Sequence, residues 1–210
     1  MSARSETLLV IDCVSAACSV ALLGENGAPI EERHEVVGRG HAERLVPMIG
    51  ELLAGRVPAA LLVDCGPGSF TGLRVGLAAA HGLAIGWGVP LHGYSAPALL
   101  AAMAGAGGAP VAVALQGGHG ELFVQSFAGN PLEPADALRS LRPDQAAAAL
   151  TAHLVVGSGA ADLVAARGYG EALDLLPRAA CAWLLPTELR SLPPRPIYGR
   201  GPDARPMSPA

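Results

Sequence analysis

The chain contains no lysine: all 14 of its basic residues are arginine. That absence removes three chemistries at once, the phosphate-loop lysine, the Schiff-base lysine and the lysine general base. Positive charge is short in total as well. With 18 acidic residues the formal charge is −4, whereas a surface gripping RNA through many phosphates carries excess arginine and lysine. Nucleic acid is therefore not the expected direct ligand. The four cysteines, Cys13, Cys18, Cys65 and Cys181, make no C-x-x-C pair. Small buried thiols in a reducing cytoplasm are expected, not a zinc site. The histidines include no H-x-x-x-H pair, which leaves a zinc hydrolase without ligands, and no G-x-S-x-G elbow exists. The opening "MSARSETLLVID" has no signal-peptide pattern.

No residue from Val75 to Gly120 carries a formal charge, which raises a membrane reading for "VGLAAAHGLAIGWGVPL". Its four glycines, His81 and the Val89-Pro90 break argue instead for a buried helix followed by a buried strand.

What is present is a regular succession of elements. "TLLVIDC" (Thr7–Cys13) is a continuous apolar run closing on an acid, the pattern of a central strand. "CSVALLG" (Cys18–Gly24) reads as its hairpin partner, and "IEERHEVV" (Ile30–Val37), with mixed charges, as an edge strand. Leu45, Met48, Ile49, Leu52 and Leu53 line one helical face, with Gly55 as the stop and Pro47 expected in the first turn or at a kink. "AALLVD" (Ala59–Asp64) is a buried strand, followed by a glycine loop, a helix to about Gly86 and the strand "VPLHGYS". A three-stranded meander running into βαβ crossovers is the half-domain of the actin, Hsp70 and sugar-kinase superfold (ASKHA, ribonuclease H-like). The α/β fold expected has two half-domains, residues 1–94 and a reduced 95–191, then a Pro-rich tail 192–210 that is extended or disordered. The second half is read as strands "PVAVAL" and "ELFVQSF", the helix start "PDQAAAAL", the strand "HLVVGS" and the helix "AADLVAARG".

The stretch "DCGPGSFTGLRVG" (Asp64–Gly76) fails both standard nucleotide signatures. The phosphate-loop lysine is absent, and Thr71 stands where either pattern wants glycine. What remains is a strand-turn-helix in which Gly68, Ser69, Thr71 and Gly72 can either bind an anion at the helix start or simply cap it, with Ser69 or Thr71 as N-cap. Along that helix Gly72, Gly76, Ala80 and Ala84 recur every four residues beside Leu73, Leu77 and Ile85. Such a small-residue ridge admits close approach of a partner helix, or equally tight packing within one domain. Asp12 and Asp64 each close a strand. Such a pair can hold a hydrated Mg²⁺, but is also common without metal, and Asp12 is expected to matter little for folding.

Taken together, "LLVIDCVSAACSVALL", "GRGHAERLVPMIGELL", "GPGSFTGLRVGLAAAHGLAIGWGVPLHGYSAPALLAA", "GHGELFVQSF" and "PIYGRGPDARP" resemble the TsaB family, the YeaZ type of the Gcp-like or M22 group. The resemblance is dense in the first half of the chain and sparse in the second. It implies a non-catalytic scaffold for tRNA threonylcarbamoyladenosine (t6A) synthesis in the bacterial cytoplasm, pairing with a TsaD-type transferase and joined by a TsaE-type ATPase. It also implies that tRNA is met only through the complex, that ATP or ADP sits at the partner boundary if anywhere, and that the chain can homodimerise alone. Dimerisation through the N-terminal helices would engage Leu45, Ile49, Gly72, Leu73, Gly76 and Ala80. The TsaD metal pair would fall on Ala96 and Leu100, so no metal or catalytic residue is expected. Three features depart from the family pattern. Asp12 is followed by Cys13 and Val14 in place of D-T-S, Gln116 stands where an acid is usual, and the link before "LLVDCGPGS" is short. The alternative reading is a degenerate ATPase or sugar kinase of the same superfold, which needs a second phosphate loop that the sequence does not display.

Overall fold

Apolar continuity along the chain becomes burial within a sheet. In the computed structural model, which describes residues 6–200, β1 (Leu8–Asp12) and β2 (Ala17–Leu23) are buried almost throughout and pair antiparallel, with Asp12 opposite Ser19. β3 (Pro29–Val36) is the edge strand, and strand alternation divides its charges between two faces. Glu31 and Glu35 meet Arg56 at 2.8 Å and Arg44 at 2.6 Å on one side, and Glu32 meets Arg178 at 2.5 Å on the other.

α1 (His41–Leu53) buries the expected stripe of Leu45, Met48, Ile49, Leu52 and Leu53. Its stop is Ala54, left-handed at φ 47°, one residue before the expected glycine. Pro47 lies in the second turn, not the first, on the exposed side where water can serve the carbonyl it leaves unpaired. β4 (Ala60–Asp64), α2 (Phe70–Trp87) and β5 (Leu91–Tyr94) complete a five-stranded sheet of order β3-β2-β1-β4-β5, in which β1, β4 and β5 are parallel. α3 (Ala96–Met103) then follows, capped by Ser95. Sequence reading passed over this helix because Ala96 to Ala101 are all buried, so no polar face sets a period.

The second sheet repeats the plan of the first. β6 (Val111–Gln116) and β7 (Leu122–Ala128) pair antiparallel, and the short β8 (Glu133–Pro134) and β9 (Arg139–Leu141) both lie on β7. After α4 (Pro143–Ala149), β10 (Leu154–Val156) adds parallel to β6; after α5 (Ala160–Arg167), β11 (Glu171–Leu173) adds parallel to β10. Meander, helix, parallel strand, helix, parallel strand thus occurs twice, with the same strand order. This is the actin/Hsp70/sugar-kinase architecture, its second half reduced to three-residue strands at β9, β10 and β11.

The larger core joins the two sheets. Val111, Val113 and Phe127 of the second pack with α3 and the first, while Ala112, Ala114 and Val124 face a smaller core with Ala146 and Leu163 from α4 and α5. The chain finally returns to the first sheet. Ala179 donates its N–H to Ser19 Oγ at 3.0 Å, Leu192 bridges Gly93, and Ile197 N–H donates to Cys65 O at 2.7 Å. The Pro-rich tail is therefore extended and docked as far as Arg200, and the rest of "PIYGRGPDARP" lies outside the described residues. Among the described residues no helix is long and apolar enough to cross a membrane.

Candidate functional site

The carboxyl ends of β1, β4 and β5 bring Asp12, Asp64 and Tyr94 into one row, because parallel register sets each beside the next. All three are at most 1% exposed. Tyr94 OH donates to Asp12 Oδ2 at 2.7 Å, and Gly66 N–H donates to Asp64 Oδ1 at 2.7 Å. Burial raises the pKa of both carboxyls, Asp64 well above the usual range because the Asp12 charge lies beside it. Asp64 accordingly releases its proton at higher pH than an exposed carboxyl does, and the pair can share that proton. A hard cation with several oxygen ligands and waters does not fit here. The pair is sealed from solvent, and no group of three His, Cys, Asp or Glu side chains converges among the described residues. Ala96 and Leu100, the positions implied for a transferase metal pair, are buried apolar residues of α3.

The glycine loop next to Asp64 is a packed turn. Gly66 at φ 90° takes a backbone that other residues resist. Ser69 is the N-cap, its Oγ accepting from Gly72 N–H at 3.2 Å, and its own N–H donates to Val14 O at 2.7 Å. A Cβ on Gly68 would lie 2.2 Å from Val14 O, and one on Gly72 1.9 Å from Cys13 O. The turn after β4 thus rests directly on the turn after β1. That leaves no space for a phosphate between the two turns: of the expected anion group, Gly68 and Gly72 pack there and Ser69 caps the helix, while Thr71 is exposed beside them.

A second turn of the same kind follows β10, at Gly157–Gly159. It was missed in the sequence, although "HLVVGSGAADL" parallels "ALLVDCGPGSFTGL" in strand, glycines and helix. Its donors are also engaged: Gly159 N–H reaches Ala114 O at 2.9 Å and Gly157 N–H reaches Leu173 O at 3.0 Å. Between the two turns lies a cavity of about 340 Å³, lined by Val14, Ser15, Pro67, Ser69, Leu115, Gln116 and Ser158 among others, with no arginine and no carboxylate among the described residues that line it.

The small-residue ridge takes the second of its two readings. Gly76 faces Ile11 and Cys13, where a Cβ would meet Cys13 Cβ at 3.5 Å, and Gly72 and Ala80 are buried with it. Leu45, Ile49 and Leu73 are likewise inside, so all six residues expected to engage a partner belong to this chain's own core. The exposed side of the same two helices carries Val46, at 62% exposure, and Ile85, at 81%, with Phe70 at 65% at the start of α2. Gly50, Gly82 and Gly86 are open there, with nothing within 4 Å of a Cβ placed on them.

The same fold and length recur in solved structures. YeaZ from Pseudomonas aeruginosa superposes with a TM-score of 0.78 at 31% identity, covering 92% of this chain and 99% of that one. The chain belongs to the YeaZ/TsaB family. An uncharacterized protein of Mycobacterium tuberculosis is 30% identical over 96% of this chain and 95% of its own length. The curated tRNA threonylcarbamoyladenosine biosynthesis proteins TsaB of Escherichia coli and Haemophilus influenzae are 39% and 45% identical, over 42% and 40% of this chain. Those two alignments span 39% and 37% of the TsaB proteins' lengths. A family model described as "TsaD: tRNA N6-adenosine threonylcarbamoyltransferase" matches residues 33–136.

Proposed function

We propose that this YeaZ/TsaB-family chain is a non-catalytic subunit of t6A synthesis that pairs with a TsaD-type transferase and holds it active. The observation that carries the reading is the outer face of α1 and α2. Glycine in an exposed helix interior costs about 1 kcal/mol relative to alanine, and Gly50, Gly82 and Gly86 recover none of that within the subunit. Beside Val46 and Ile85 they form a surface on which another helix can lie close, and the same face serves a homodimer when the chain is alone. The sealed Asp12–Asp64 pair supports the non-catalytic part, since neither carboxylate reaches a bound substrate. A TsaE-type ATPase joins the pair, tRNA is met through the assembly, and any ATP or ADP sits at the partner boundary.

Sedimentation of the chain with the same organism's TsaD, with and without ATP, tests this. A mixed complex that Ile85→Asp abolishes while the variant stays folded is the expected result. Absence of any complex, with ATP hydrolysis by the chain alone, would favour the degenerate kinase instead.

A further inference from the structure

Cys13 follows β1 directly and Cys18 lies in β2, so the pair continues the antiparallel register one step beyond Asp12 and Ser19. Residues opposite each other in such a ladder have Cα atoms about 4.5–5.5 Å apart, inside the span a disulfide accepts. Here the two sulfurs are already 3.6 Å apart. Cys13 lies beneath Gly76 of α2, whose missing side chain leaves it room. The turn the two cysteines enclose supplies Val14, Ser15 and Ala16 to the wall of the cavity, and Val14 O is the acceptor for Ser69 N–H.

We propose that Cys13 and Cys18 are an oxidation site, forming a reversible disulfide with hydrogen peroxide as oxidant and so pinning the turn that walls the cavity. The Cys18 thiolate attacks one peroxide oxygen; an S–O bond forms, the O–O bond breaks and hydroxide leaves. Cys13 then attacks the Cys18 sulfur; the S–S bond forms, the S–O bond breaks, and the departing oxygen leaves as water with the Cys13 proton. Two thiols and one peroxide give one disulfide and two waters, with two electrons passing from sulfur to oxygen. The contact between the thiols divides the roles. Either sulfur can donate across this contact; it raises the Cys13 pKa, with burial adding to the rise, and lowers that of Cys18, with burial opposing. Closing from 3.6 Å to a bond of about 2.05 Å draws the ends of the turn together.

The tryptic peptide Ser5–Arg33 contains both cysteines and no other. The folded wild-type protein is treated with hydrogen peroxide, quenched, denatured, alkylated and digested. The expected result is a Ser5–Arg33 peptide that has lost two hydrogens and takes no alkylating group, with both alkylation sites restored by dithiothreitol. In Cys13→Ser the reaction stops at a Cys18 sulfenic acid, trapped by dimedone. Full alkylation of both cysteines under peroxide that oxidises the half-exposed Cys181 overturns the proposal. So does a disulfide that forms only when the protein is unfolded before oxidation.

Discussion

Asp12 and Asp64 stand side by side at the ends of adjacent parallel strands, both sealed from water, with Asp12 Oδ1 and Asp64 Oδ2 left to each other by the rest of the structure. A proton on Asp64 turns two repelling carboxylates into a hydrogen-bonded pair. The folded state raises the Asp64 pKa above its unfolded value. Its contribution to stability is therefore complete below the unfolded carboxylate pKa, about 3.9, and is lost as pH rises through the folded value. Asp64→Asn mimics the protonated form, its Oδ1 still accepting from Gly66 N–H and its Nδ2 donating to Asp12. Denaturant unfolding is expected to show a variant whose stability varies less with pH above 4 or so, and which gains on the order of 1 kcal/mol over the wild type at pH 8. Equal losses for the variant at pH 5 and pH 8 would contradict a shared proton.

Asp12 is less dispensable than its sequence context suggested. Tyr94 OH is fully buried and its acceptor is Asp12 Oδ2. Asp12→Ala leaves that hydroxyl without a partner, a cost of about 1–3 kcal/mol. Tyr94→Phe removes the other half of the same bond. The double variant is expected to lose less than the sum of the two single losses in a chemical denaturation cycle, because each disturbs one shared interaction.

The strands were legible because each meets the period that burial imposes. β1, β2 and β4 are continuous apolar runs, and β3 alternates charges that α1 and Arg178 then neutralise. The α1 stripe was legible for the same reason. What the sequence could not settle was direction. The repeat of Gly72, Gly76 and Ala80 says that something comes close to α2, and both β1 and a partner helix satisfy that requirement. Nor could it set Asp12, Asp64 and Tyr94 side by side, since that adjacency comes from strand order and Tyr94 lies 82 residues from Asp12. The docked tail escaped detection because its contacts are mainly backbone hydrogen bonds and stacking, which proline-rich composition does not reveal.

Substitutions on the two sides of α2 are expected to separate folding from pairing. Gly76→Leu drives a side chain into Cys13 and Ile11 and is expected to cost roughly 1–3 kcal/mol of stability by overpacking. Ile85→Asp changes a residue 81% exposed and is expected to leave the thermal midpoint within a few degrees of wild type. If Gly76→Leu unfolds normally yet fails to pair, the ridge faces the partner after all, and the packing of α2 on β1 is misassigned.

The returning tail makes its own prediction. Leu192 and Gly93 exchange two backbone hydrogen bonds, of 2.7 and 2.9 Å, and Ile197 N–H adds a third to Cys65 O. The first two cover the edge of β5 at Gly93, which would otherwise present unpaired N–H and C=O groups, and the third ties the tail to the turn after β4. A chain cut after Arg200 keeps the strap and is expected to match the full-length protein. A chain cut after Ser191 loses these three backbone hydrogen bonds, each worth about 0.5–1.5 kcal/mol, along with side-chain contacts at Pro194 and Tyr198, and exposes the strand edge. It is expected to be less stable by roughly 2–4 kcal/mol and to sediment as a concentration-dependent mixture, because an open edge recruits a second copy. Identical stability and sedimentation for the two truncations would show that the β5 edge is protected by its own side chains rather than by the tail.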